Sequence, residues 1–228
     1  MSEVKINKIS PRSGTTVTIG DSGDTINVAG TLQNNGSAVE VDSVTFKEGG
    51  TNFTNSLLVG TDSTGTLDSA DGNTGVGVGV FGALTTGDNN VAVGLNALDV
   101  NTTGCRNTSV GCGSLDANTT GNNNTALGKD ALGANTTAAN NTSVGYESLS
   151  KNTTGTSNTA IGQLALAENT TADNNTAVGR LALYLNTTGT ENTAVGSGAL
   201  DSNTTAGCNT SIVMDLWEIT QKVQIMLQ

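Results

Sequence analysis

Few residues of this chain have the chemistry for a reactive centre. Cysteines stand at Cys105, Cys112 and Cys208, and histidine is absent. Without histidine, neither a histidine-based catalytic triad nor a Cys/His zinc site can form. The three cysteines cannot all pair within the chain, and none makes a C-x-x-C motif. Free thiols and synthesis in a reducing cytosol are therefore expected. Acid-rich pieces such as TGDNN (86–90) and TADNN (171–175) offer oxygen ligands but lack the GGxGxD spacing of calcium-binding rolls. The glycine-rich GVGVGVFG (75–82) is not followed by GK[ST], so it does not read as a phosphate cradle. Asn-Thr-Thr recurs at Asn101, Asn118, Asn135, Asn152, Asn169, Asn186 and Asn203. As a glycosylation signal it would need a secretory pathway. As turn chemistry it needs only that asparagine bond to nearby backbone, and that is the expected role. No cofactor is expected.

These residues are set in a period of seventeen. Cuts at Asn73, Asn90, Asn107, Asn124, Asn141, Asn158, Asn175, Asn192 and Asn209 leave eight full units with the consensus NTAVGxxALxxNTTGxx. The fourth place is aliphatic: Val93, Val110, Leu127, Val144, Ile161, Val178 and Val195. The ninth holds Leu98, Leu115, Leu132, Leu149, Leu166, Leu183 and Leu200. Both columns are expected to form the core of the repeat. Acids keep no fixed place. The tenth reads Gly82, Asp99, Asp116, Gly133, Ser150, Ala167, Tyr184 and Asp201, so nothing points to paired catalytic carboxylates and no enzyme is expected.

Seventeen residues are too few for the helix pair of an α-solenoid. They suffice for two short strands and two turns. In NTAVG, Thr and Val point one way and Asn and Ala the other. Stacked coils would lie about 4.8 Å apart, with Asn on Asn, Leu on Leu and Val on Val. The expected fold is all-β: a parallel β-roll or β-solenoid of about eight seventeen-residue coils over 73–212. It is preceded by a small β region (1–55) for attachment or registration and a Ser/Thr/Gly/Asp connector (56–72). Each coil has little apolar surface to bury, so self-association is expected.

Composition narrows the partners. The net charge of −11, with no run of basic residues, argues against nucleic acid and anionic membranes. MSEVKINKIS has no apolar core of signal-peptide length, and no segment is long and apolar enough to span a bilayer.

The consensus NTAVGxxAL resembles the head repeats of trimeric autotransporter adhesins. That resemblance implies a left-handed parallel β-roll assembled as a homotrimer, over about residues 73–212. The opening EVKINKISPRSGTTVTIGDSGDTINVAGTLQNNGSAV (3–39) and SLLVGTDSTGTLDSADGNTGVGVGVFGALTTGDNNVAVG (56–94) resemble tail-fibre and structural proteins of marine bacteriophages. That second resemblance implies a virion fibre made in the host cytoplasm, attached to other virion proteins and contacting a host glycan or surface protein. Adhesins of the first kind carry a secretion signal and a membrane anchor. Their expected absence here favours the phage reading over a bacterial-surface one. Threonine ladders raise a third reading, an ice-binding solenoid, although the threonines of the thirteenth and fourteenth places fall in a turn.

After Ile212 the period stops, and the only tryptophan, Trp217, follows. Two explanations compete for 213–228. The segment LWEITQKVQIML would be a cap over the last coil. Alternatively, one base inserted after the Ile212 codon, with suitable codons, gives GYGSLGNNTKGSDNAA in place of the tail. That restores Gly, Leu, Asn-Thr and Gly at their places. On the second reading the repeat continues and a distal tip is missing from this chain.

Overall fold

The computed structural model describes residues 39–41, 44–48, 56–60 and 68–213. Its strands are β1 (Val39–Val41), β2 (Val44–Glu48), β3 (Leu57–Gly60), β4 (Thr74–Gly77), β5 (Val91–Val93), β6 (Thr108–Val110), β7 (Thr125–Leu127), β8 (Thr142–Val144), β9 (Thr159–Ile161), β10 (Thr176–Val178), β11 (Thr193–Val195) and β12 (Thr210–Ile212). They pair in chain order in a single sheet. From β3 on, each pairing is parallel and seventeen residues in register: Leu57 faces Thr74, Thr125 faces Thr142, Thr193 faces Thr210. The parallel β-solenoid expected from the repeat is the observed fold, with about nine coils.

The additional coil comes from the segment expected to be a connector. Ser56 occupies the first place of a coil and accepts the Asn73 N–H at 2.8 Å, and β3 fills the second to fifth places. Of the N-terminal β region, only β1 and β2 belong to the described residues; they pair antiparallel with each other, and β2 pairs antiparallel with β3. The rest of that region, and the cap or shifted-frame tail over 214–228, lie outside the described residues.

Two expectations need correction. First, each described coil holds one three- or four-residue strand, not two. The Ala-Leu segment turns instead of extending. Its leucine is left-handed at every such position from Leu98 to Leu200, for example Leu98 at φ 52° and Leu149 at φ 48°. The seventh and seventeenth places are left-handed too, as at Asp130 (55°) and Asn140 (62°). Such residues turn the chain sharply, and a bulky residue there carries about 1–2 kcal/mol of steric cost. Burial of the leucine side chain, worth roughly 2 kcal/mol or more, offsets that.

Second, the fourth-place residues Val93, Val110, Leu127, Val144, Ile161, Val178 and Val195 are not in the core. Leu127 is 47% and Ile161 40% exposed, and Val110, Val144 and Val178 are half-buried. Alternation along the strand is as expected, but the interior lies on the alanine side. Ala126, Ala160 and Ala177 point in, with Ala131, Ala165 and Ala182 of the eighth place and the ninth-place leucines against them. A coil this narrow brings opposite walls so close that only alanine or serine fits opposite alanine or serine. Leu98, Leu115, Leu132, Leu149, Leu166 and Leu183 are buried as expected, and Leu200 is partly so. In two coils both alanines are replaced together: Ser109 hydrogen-bonds Ser114, and Ser143 hydrogen-bonds Ser148.

Two asparagine ladders complete the interior. Each first-place Oδ1 accepts the backbone N–H of its counterpart one coil on, as Asn141 does from Asn158 at 2.9 Å. From Asn118 on, each twelfth-place Nδ2 donates to the Oδ1 one coil back, as Asn135 does to Asn118 at 2.9 Å. In most coils both kinds of asparagine also donate to a shared fifteenth-place carbonyl. Asn90 and Asn101 reach Gly104 O at 2.9 and 3.0 Å. Buried amides are tolerated because nearly all are bonded on both sides; the Asn175 Nδ2 is the exception among the described residues, buried with no partner.

Candidate functional surface

The expected turn asparagines Asn101, Asn118, Asn135, Asn152, Asn169 and Asn186 are fully buried, and Asn203 is half-buried. Their amides are held inside the ladder, so the six fully buried ones present nothing to a ligand or a glycosylating enzyme in the folded coil. The thirteenth-place threonines are spent in the same way. Thr102, Thr119 and Thr153 donate their hydroxyls to the carbonyl one coil on, at 3.0 Å in each case. Cys105 is half-buried, and Cys112 and Cys208 are exposed; all three are free. A hydrogen bond to Glu191 pushes the Cys208 thiol up from its ordinary value, which disfavours the reactive thiolate. Among the described residues, no three His, Cys, Asp or Glu side chains converge on one point. Among them, too, no helix is long and apolar enough to cross a membrane.

What the fold does build is a uniform outer face. From β4 to β12, the second and fourth places of every strand point outward. The second is Thr in each strand except β5, where it is Val91, and the fourth is always Val, Leu or Ile. No charged residue occurs at either place across these nine strands. The strict seventeen-residue register sets Thr beside Thr and Val beside Val. With about 4.8 Å between strands, the face runs for roughly 40 Å along the stack. The hydroxyls of Thr108, Thr125, Thr142 and Thr159 have no partner among the described residues. This separates them from the thirteenth-place column, whose hydroxyls are tied down.

Charge begins beyond the glycine corner. At the sixth place, Lys129 Nζ lies 5.6 Å from the Tyr146 ring centroid and is paired with Asp130. Further round the coil, Lys151 pairs with Glu168 at 2.7 Å. These are solvent-facing pairs and contribute little to stability. Asp116 stands on the outside of its coil near Asp99 and Asp130. Burial raises its pKa, and the neighbouring Asp130 and Asp99 add repulsion.

Sequence reasoning missed this face although the signal was present. Once alanine is assigned to the inside, alternation places Thr and Val on the outside. Comparison with known protein families, curated proteins and solved structures finds no match for the chain.

Proposed function

We propose that this chain is a non-catalytic structural and adhesive fibre protein. Its solenoid is a stiff shaft, and copies of it associate as a homotrimer through the Thr-x-Val face. The observation that supports this is the uncharged, aliphatic and self-similar face on a chain of net charge −11. Like-charged copies repel one another except where charge is absent. A parallel neighbour carries the same rung spacing, so aliphatic rows can meet along their whole length. The fibre would belong to a virion such as a phage tail. It would be made in the host cytoplasm, joined to other virion proteins, and bind a host glycan or surface protein by many weak contacts. The adhesin head of a bacterial cell surface is the rival within the same architecture, and neighbouring genes separate the two.

Light scattering after size exclusion tests the assembly. The wild type is expected at three times the chain mass, and the Val144→Asp/Ile161→Asp variant at the single-chain mass with its β circular dichroism intact. A folded wild-type monomer at high concentration overturns the trimer.

The free hydroxyl column favours a second reading of the same face. Regular threonine and valine rows in strict register also suit ordered water, as in an ice-binding surface. That reading requires the face to be open in solution, so it goes with a monomer. Thermal hysteresis at millimolar concentration supports it, and its absence removes it.

A further inference from the structure

The N-terminal end of the stack is built unlike its interior. At places held elsewhere by Ala, Leu and Asn stand Leu58, Val80, Phe81 and Leu84, all buried. Gly75 makes room for them: a Cβ there would lie 2.8 Å from Leu58 Cδ1 and Val80 Cγ1. Both asparagine ladders end at this plug. Asn118 donates back to Asn101, but the residue one coil before Asn101 is Leu84, which has no amide. In the first-place column asparagine gives way to Ser56, whose hydroxyl accepts the Asn73 N–H.

The backbone ends there as well. Inside the stack, fifth-place glycines donate to the preceding coil, as Gly111 N–H does to Val93 O at 2.8 Å. Among the described residues the first coil has no parallel predecessor. Its β3 is instead paired by β2 running the other way, with Leu58 opposite Lys47 and Gly60 opposite Thr45. Another parallel coil cannot dock on an edge already taken by an antiparallel strand.

We infer that the β1–β2 hairpin and the Leu58/Val80/Phe81/Leu84 plug form a polarity-reversing stop. It prevents coils of a second copy from adding to this end, so copies associate side by side and not end to end here. The inference holds whatever the number of copies in the lateral assembly.

Two measurements test it. In the full chain, hydrogen exchange should find the amides of Leu58 and Gly60 protected to within about tenfold of Gly128 in mid-stack. Exchange at the open-chain rate would mean that the edge is bare and overturns the stop. In a variant lacking residues 1–48, β3 is uncovered. The expected result is elongated species whose mass rises with concentration beyond that of the full chain. A folded deletion variant that keeps the full chain's assembly mass at every concentration overturns the proposal. If that variant does not fold, the exchange measurement alone decides.

Discussion

At the scale of single residues, each coil depends on positions that only one residue type serves well. Asn141 Oδ1 accepts the Asn158 N–H and its Nδ2 donates to Gly155 O, both at 2.9 Å. Asn141→Ala leaves a buried N–H without its acceptor and a buried carbonyl short of a donor. It should cost about 1–3 kcal/mol in urea unfolding. Gly145 has φ 136°, and a Cβ there would lie 2.6 Å from the Gly162 carbonyl. Gly145→Ala combines a backbone conformation that L-residues avoid with a backbone clash, and should cost about 2 kcal/mol or more by the same measurement. Asp116 makes a pH prediction. Its folded pKa lies above its unfolded value, so the folded state holds the proton more tightly, and stability is lost as pH rises from the ordinary value of 3.8 through the folded one. Asp116→Asn should therefore gain in urea midpoint over wild type at pH 7 and show little difference near pH 3. Asn141 and Gly145 were legible as repeats, and Asp116 was not, because the tenth place varies from coil to coil. Their direction was not legible, because periodicity says which residues share a side and not which side is inside.

At the scale of the coil, the sequence made the period, the parallel register and the asparagine turns legible, since each follows from spacing. The single strand was less so. Nothing in Ala-Leu announces a left-handed leucine, a conformation that local sterics disfavour and that only packing across a narrow coil sustains. The paired serines expose the same packing constraint. Ser143 donates to the Ser148 carbonyl at 2.8 Å, and the two hydroxyls also bond each other. The double variant Ser143→Ala/Ser148→Ala recreates the Ala-Ala pair of neighbouring coils and should be near neutral. Ser143→Ala alone deprives the Ser148 hydroxyl of a buried partner and should cost about 1 kcal/mol, so a double-mutant cycle should show coupling.

At the scale of the molecule, the stack is a one-dimensional array in which each coil touches its neighbours. Its stability should be close to a sum over coils. Removing residues 141–157, one whole period, should leave a folded and slightly less stable solenoid. Removing 141–149 breaks the register of both ladders and should abolish cooperative unfolding followed by circular dichroism. The first coil was hidden in the sequence because Ser56, Leu57 and Leu58 replace the consensus Asn, Thr and Ala. Those departures are what an end requires, and an end does not look like the repeat that it terminates.

The serine pairs also bear on the genetic text. In the coils opened by Asn90 through Asn192, a serine at the third place is always joined by one at the eighth, and an alanine by an alanine. The coil opened by Asn209 carries Ser211 at its third place, yet Leu216 stands at the eighth. In the tail rewritten with one inserted base, GYGSLGNNTKGSDNAA, the residue that falls at position 216 is serine. A pairing rule set by the width of a coil thus works as a proofreading mark on the nucleotide sequence. Resequencing across the Ile212 codon should find the additional base; a confirmed uninterrupted frame would assign Leu216 to the protein as it is made.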